Sequence, residues 1–203
     1  SVGATSDIVE KEMHAFEDRD GTLVALRPEG TASVVRAYVE AGLSRAQPVV
    51  RLYYHGPMFR RERPQKGRYR QFTQIGAELM GRDDPQSDAE TLCLVADICA
   101  EAGLGAIRLE VNSLGDSACR PGYREALAGF ARSRIASLCE DCRNRIERNP
   151  LRILDCKNPD CRAATTDAPM MVDHLCGPCA AHRETVLRLV GDVRVGQVRV
   201  NRQ

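Results

Sequence analysis

Residues 53–81 read YYHGPMFRRERPQKGRYRQFTQIGAELMG, from Tyr53 to Gly81. An apolar run closes at Phe59, and Arg60, Arg61, Arg63, Lys66, Arg68 and Arg70 then gather around the turn Pro64-Gln65-Lys66-Gly67, with Glu62 the only acid among them. In the return segment, Gln71 to Leu79, polar and apolar residues roughly alternate. Alternation at period two on both sides of a Pro/Gly loop predicts two antiparallel strands joined by a long hairpin. The same period places Gln74 and Glu78 on one face of the return strand. A face carrying Arg60, Gln74 and Glu78 beside a cationic loop suits a ligand with both a phosphate and an ammonium or imidazole. An ordinary solvated hairpin can carry as much charge, so the order of the residues has to decide between the two readings.

Working outward towards the N-terminus, the block Leu26-Arg27-Pro28-Glu29-Gly30-Thr31 follows an apolar strand, Thr22 to Leu26. That strand is bounded by a turn at Asp18-Arg19-Asp20-Gly21, into which Ile8 to Phe16 lead. Pro28 disfavours helix at Arg27, and Thr31 is the expected N-cap of a helix through Ala32, Val34, Val35, Tyr38 and Val39 that stops at Gly42. Glu29 therefore stands at the mouth between a strand end and a helix start. An acid is comfortable there in any protein. Alternatively, the helix-start amides receive a carboxylate or phosphate while Glu29 holds an ammonium.

The string Phe59-Arg60-Arg61-Glu62, continued by Arg63-Pro64-Gln65-Lys66-Gly67-Arg68-Tyr69-Arg70-Gln71-Phe72, resembles motif 2 of the class II aminoacyl-tRNA synthetases in its histidyl-tRNA synthetase version. Leu26 to Thr31 resembles the same family's amino-acid-binding turn, and the two blocks stand in the expected order and separation. The resemblance implies an α+β fold, a mostly antiparallel sheet with flanking helices. It implies a histidine–tRNA ligase, which activates histidine with ATP and passes it to tRNA-His, acting as a cytoplasmic homodimer with Mg2+ accompanying ATP. By resemblance Arg60 is the catalytic cation on the α-phosphate and lies against the histidine, while Glu62 and Arg68 serve the rest of ATP. Glu29, Gly30, Thr31 and Gln74 surround the amino acid, Glu78 receives the imidazole N–H, and Arg63 and Gln65 face the tRNA acceptor end. Set against the family, the chain lacks the start of motif 1, the second histidine motif, motif 3 and the anticodon domain, so residues 1–203 alone are expected to be inactive. One rival is the non-catalytic paralogue that serves as regulatory subunit of ATP phosphoribosyltransferase; another is a zinc-containing RNA-binding module. Intact Arg60, Gln65, Arg68, Gln74 and Glu78 argue against the first.

The 203 residues suffice for one domain and a smaller companion. Twenty-nine Lys and Arg against 28 Asp and Glu leave a net charge of +1, so RNA contact has to come from local clustering. No apolar run is long enough to span a bilayer and the N-terminus has no signal-type apolar region, which makes a cytosolic protein the default. Without a secretory signal, nine cysteines point to thiols or a metal rather than disulfides.

Pro85 to Ala102 is helical in spacing, ended by Gly103 and Gly105, with Cys93 and Cys99 expected as small buried apolar residues. Ile107 to Asn112 is a strand closed by a turn through Gly115. Residues 1–116 thus form the catalytic-core part. Residues 117–195 form a helical, cysteine-rich insertion (Pro121 to Leu138, then Asp141 to Arg148), of the kind that by resemblance leans over the tRNA acceptor arm. Residues 196–203 form a strand returning to the core. The spacing Cys139-x2-Cys142, Cys156-x4-Cys161, Cys176-x2-Cys179 follows the pattern of zinc knuckles, and the expected structural Zn2+ site is Cys139, Cys142, Cys176 and Cys179, with Cys156 and Cys161 as alternates. Unligated thiols, an iron–sulfur cluster and a redox pair at Cys176-Gly177-Pro178-Cys179 are the other readings; His174 and His182 are weaker ligand candidates.

Overall fold

The computed structural model describes residues 12–104, 107–191 and the backbone of 198–200. The chain forms two compact units, Ser1–Asp83 and Asp84–Gln203. The expected boundary after residue 116 falls inside the second of these. Gly105, Ile8 to Lys11, and residues 196, 197 and 201–203 of the expected returning strand lie outside the described residues.

In the first unit a short hairpin, β1 (Ala15–Glu17) and β2 (Leu23–Ala25), turns where the sequence places it. The Gly21 amide donates to the Asp18 carbonyl at 2.9 Å, and Gly21 takes the positive φ of +83° that the turn requires. Helix α1 (Thr31–Glu40) follows, then a single-turn helix α2 (Leu43–Ala46) that the sequence reading missed. The long hairpin is β3 (Val50–Phe59) and β4 (Gln71–Met80), antiparallel over their whole length from Val50↔Met80 to Phe59↔Gln71. Burial alternates strictly: Val50, Leu52, Tyr54, Gly56 and Met58 point inward with Phe72, Gln74, Gly76 and Glu78, and the residues between them point to solvent. At its tip, Gln65-Lys66-Gly67-Arg68 closes a turn in which the Arg68 amide donates to the Gln65 carbonyl at 2.8 Å and Gly67 has φ +80°, the type II signature of glycine at the third position.

The second unit opens on α3 (Pro85–Glu101), capped by Asp84, whose carboxylate accepts the Ser87 amide at 2.9 Å. Proline in the first turn suits this start, since the missing N–H had no partner to lose. Cys93 and Cys99 on α3 are half-buried rather than enclosed. β5 (Leu109–Val111) pairs with β6 (Val198–Val200), and the pairing is parallel, against the antiparallel pattern of the other two ladders. Between them lie α4 (Cys119–Ser133), α5 (Glu140–Arg148), α6 (Pro159–Ala164) and α7 (Gly177–Gly191), with 3-10 turns at 135–137, 150–153 and 171–174. α3 packs on α7 through Ala89, Val186 and Val190. α4 serves two cores: Tyr123 and Leu127 pack with Cys119 and Met171, while Ala128 and Ala131 pack with Leu138, Cys142, Ile146, Ile153 and Cys161. Sulfur is thus part of the interior of each small core. Among the described residues no helix is long and apolar enough to cross a membrane.

Candidate active site and thiol clusters

In the first unit, the block before α1 and the inner face of the long hairpin come together. Thr31 does not cap α1. Gly30 occupies that position, and the Glu29 carboxylate accepts the Ala32 amide at 3.0 and 3.2 Å, an acid at a helix start doing the capping that the sequence assigned to threonine. The Thr31 hydroxyl instead donates to Glu78 Oε1 at 2.7 Å, across the gap to β4. Arg60 Nε donates to the Pro28 carbonyl at 2.9 Å, and its guanidinium lies over the Phe72 ring, 5.0 Å from the centroid. Arg27 Nε donates to the Pro57 carbonyl at 2.8 Å. These contacts join the Leu26–Thr31 block to the long hairpin, Pro57 to Glu78, at three points.

Tyr54, which sequence reasoning passed over, is the centre of this arrangement. It sits directly across from Gly76 in the ladder. A methyl group on either Gly30 or Gly76 would collide with its ring, so the ring occupies a slot between two residues without side chains. Gln74 Nε2 donates to the phenol oxygen at 3.3 Å, and the Thr31 hydroxyl lies 3.5 Å from it. Gln74, Tyr54, Thr31 and Glu78 therefore form one continuous polar run along the inner face. Gln74 Oε1 is fully buried without a hydrogen-bond partner, a cost that a ligand N–H would relieve. The signal for Tyr54 was its parity with Gly56 and Met58 together with two glycines in the facing blocks.

Around the loop, Glu62 keeps its carboxylate half-buried, 3.9 Å from Arg68 Nη1, and its carbonyl accepts Arg70 Nε at 3.2 Å. Arg63 and Gln65 are exposed at the tip. The carboxylate of the loop's one acid thus faces Arg68, while Arg61, Arg63 and Lys66 are exposed.

The cysteines of the second unit separate into two groups, and not along the line expected. Cys139 and Cys142 gather with Cys156 and Cys161, the alternates, with all four sulfur atoms within 4.8 Å of one another. Cys176 and Cys179 gather elsewhere, with Cys119 and Asp116. Chain path explains the change: the 3-10 turn 150–153 packs back on α5 and α4 and returns Cys156 and Cys161 to the start of α5. All nine cysteines are free thiols. His174 stacks at a tilt on Tyr123, and His182 Nε2 lies 2.8 Å from Asp88; neither joins a thiol group.

The first group fits a tetrahedral zinc ion. Four sulfurs at Zn–S of about 2.3 Å stand about 3.8 Å apart, and Cys139 Sγ and Cys156 Sγ are 3.9 Å apart. The Cys139 amide donates to Cys161 Sγ at 3.1 Å. The amide of Cys142 draws the Cys139 thiol down to about 7, while burial pushes Cys142 and Cys161 up. One lowered thiol among raised neighbours is how a crowded set shares protons without a counter-charge; a divalent cation favours the thiolate at every corner.

The family model for histidyl-tRNA synthetase matches residues 1–115. The chain is 58% identical over 182 residues to the histidine–tRNA ligase of Geobacter metallireducens, covering 90% of this chain and 44% of that protein. It is 51% identical over 195 residues to the one from Syntrophotalea carbinolica, covering 96% and 46%. The crystal structure of apo Staphylococcus aureus histidyl-tRNA synthetase superposes with a TM-score of 0.71 at 37% identity, over 92% of this chain and 43% of that one. An ATP phosphoribosyltransferase regulatory subunit/histidyl-tRNA synthetase from Bacillus halodurans shares the fold at 20% identity, with a TM-score of 0.58 over 94% and 52%. The chain spans less than half the length of the curated relatives it matches.

Proposed function

The chain belongs to the histidyl-tRNA synthetase family, and from that premise we propose that the protein containing it is a histidine–tRNA ligase. In the proposed reaction a histidine carboxylate oxygen attacks the α-phosphorus of ATP. The bond to the β-phosphate oxygen breaks, pyrophosphate leaves, and histidyl-adenylate remains; the tRNA-His 3′ end then takes the histidyl group and AMP leaves. Displacement at phosphorus requires positioned charge more than covalent help from the protein. Arg60 is assigned to the α-phosphate and the histidine carboxylate, Arg68 and Glu62 to the rest of the nucleotide, and Arg63 and Gln65 to the tRNA acceptor end. Glu29, Gly30, Thr31 and Gln74 surround the α-amino group, and Glu78 takes the imidazole N–H. Magnesium enters with ATP as counter-ion to its phosphates.

The observation that carries this reading is the polar run Gln74–Tyr54–Thr31–Glu78. It ends on a carboxylate at one side and on the orphaned, buried Gln74 Oε1 at the other. Two acceptors on one face suit a ligand with two nitrogen donors, and Arg60 is tied to the same frame through Pro28.

Residues 1–116 are assigned to the catalytic core, 117–195 to an insertion and 196–203 to the returning strand. The adjacency of β5 and β6 supports this division, since the chain departs and returns side by side. Cys139, Cys142, Cys156 and Cys161 are assigned a structural Zn2+, which when bound supplies a covalent-strength cross-link in a region whose cores are small. A homodimer in the cytoplasm completes the reading.

Histidine-dependent exchange of pyrophosphate into ATP by the complete protein tests it. The expected result is exchange that falls about 10²–10³-fold in Arg60→Ala. Absence of histidine-dependent exchange in the unaltered protein would overturn the assignment and favour a regulatory role.

A further inference from the structure

Asp116, Cys119, Cys176 and Cys179 bring one oxygen and three sulfur atoms within 4.8 Å of one another. The donors come as two pairs of equal spacing. Asp116-x2-Cys119 enters α4, and Cys176-x2-Cys179 enters α7. A donor, two intervening residues and a second donor in a turn is the local geometry by which knuckles hold zinc. We propose that these four side chains bind a second zinc-type divalent cation, separate from the one at Cys139, Cys142, Cys156 and Cys161.

The distances fit such an ion. Arms of about 2.3 Å to sulfur and 2.0 Å to oxygen at a tetrahedral angle put the two donors about 3.5 Å apart, and Cys176 Sγ lies 3.6 Å from Asp116 Oδ2. The carboxylate is fixed for that role. Its Oδ1 accepts the amides of Ala118 and Cys119, both at 2.9 Å, which leaves Oδ2 as the oxygen facing the sulfurs. The Cys176 amide donates to Cys119 Sγ at 3.1 Å. That contact repeats, at the same length, the Cys139 amide on Cys161 Sγ in the first group; amides that donate to a ligand's sulfur orient it and stabilise its thiolate form. Gly115, at φ +59°, makes the approach possible: a Cβ there would stand 2.7 Å from Cys119 Cβ and also collide with Met171.

The donor set selects the ion. Three thiolates disfavour magnesium and calcium and suit zinc, and four protein donors close the coordination sphere, so the site is structural and not hydrolytic. A redox pair at Cys176 and Cys179 needs neither Cys119 nor Asp116, both of which the fold brings to the same point. The cation would fasten the start of α4 to the start of α7, across 57 positions of sequence.

The test is elemental analysis and cobalt substitution on the complete protein, purified with reductant and equilibrated with zinc. The expected content is two zinc per chain. Cys176→Ser/Cys179→Ser should reduce it to one, as should Cys139→Ser/Cys142→Ser. In the cobalt-loaded protein, thiolate-to-cobalt absorption should divide between the two double variants. Asp116→Asn, which keeps an oxygen to accept the α4 amides, guards against mere misfolding: it should retain helix content by circular dichroism and lose the second ion to a competing chelator before the first. One zinc in the unaltered protein, with no change in Cys176→Ser/Cys179→Ser, overturns the proposal. So does a Cys176–Cys179 disulfide as the stable form under reductant.

Discussion

Gly76→Ala isolates the slot that holds Tyr54. The backbone at Gly76 does not need glycine, because it lies in a regular strand and its φ is not positive. Added alone, a methyl group would stabilise by about 0.4–1 kcal/mol through the unfolded chain. The new Cβ, however, falls within the Tyr54 ring, and on the far side Gly30 leaves that ring no room to retreat without moving α1. Overpacking of this kind costs about 1–3 kcal/mol, so the net effect is destabilising. The displaced phenol also releases Gln74 Nε2, a neutral hydrogen bond contributing about 0.5–1.5 kcal/mol. In the complete protein, denaturant unfolding should shift to lower midpoint, and the histidine KM in pyrophosphate exchange should rise about 2- to 12-fold. A double-mutant cycle with Tyr54→Ala decides whether the ring is the cause: Gly76→Ala should be slightly stabilising once the ring is gone, by about 0.4–1 kcal/mol, giving a coupling of about 0.5–3 kcal/mol. Equal costs in the two backgrounds would refute the slot.

Glu78→Gln removes the charge that Thr31 donates to and that the imidazole is assigned to; histidine KM should rise roughly tenfold to a hundredfold while ATP KM stays within a factor of a few, and an unchanged histidine KM would withdraw Glu78 from the site. Arg134 Nη2 donates to Asp167 at 2.8 Å, and that hydrogen bond, aided by the charge of Arg134, holds the Asp167 carboxyl below its usual range. A depressed folded-state pKa gives stability that is present above the unfolded value of about 3.9 and lost as pH falls through the folded one. The thermal midpoint of Asp167→Asn should therefore lie below the parent's by a constant amount above about pH 5 and approach it below about pH 4; a gap that persists to lower pH would show that the carboxylate's charge is irrelevant.

The long hairpin was legible because its polar and apolar residues roughly alternate on both sides of a Pro/Gly loop, and burial alternates from Val50 to Met58 and from Gln71 to Glu78. α3 was legible from its spacing and the glycine that ends it, and the structure adds the Asp84 cap. Thr31 was misread because a threonine before an apolar run and an acid two residues earlier are both good caps, and only the position of Glu78 across the gap decides which one is free to cap. Tyr54 was missed because its importance lies in two glycines, neither adjacent to it in sequence. Spacing identified the thiol chemistry but could not say which pairs meet. Cys119 went unnoticed because its near neighbour at x2 is an aspartate, so a pattern built on cysteine alone passes over it. The parallel pairing of β5 with β6 is likewise invisible locally, being fixed by where the helices between them return the chain.

That pairing also sets an order of events during synthesis. A chain leaving the ribosome from its N-terminus presents Leu109–Val111 about ninety residues before Val198–Val200 exists to pair with it. In the interval Cys139, Cys142, Cys156 and Cys161 all emerge and can close on one another, with Ala128 and Ala131 of α4 already available to cover them. Asp116 and Cys119 must wait for Cys176 and Cys179, Ala89 of α3 waits for Val186 and Val190 of α7, and β5 waits for a partner that emerges later still. The second unit therefore assembles from its middle outward, and β5, its first strand, is the last element to find its partner.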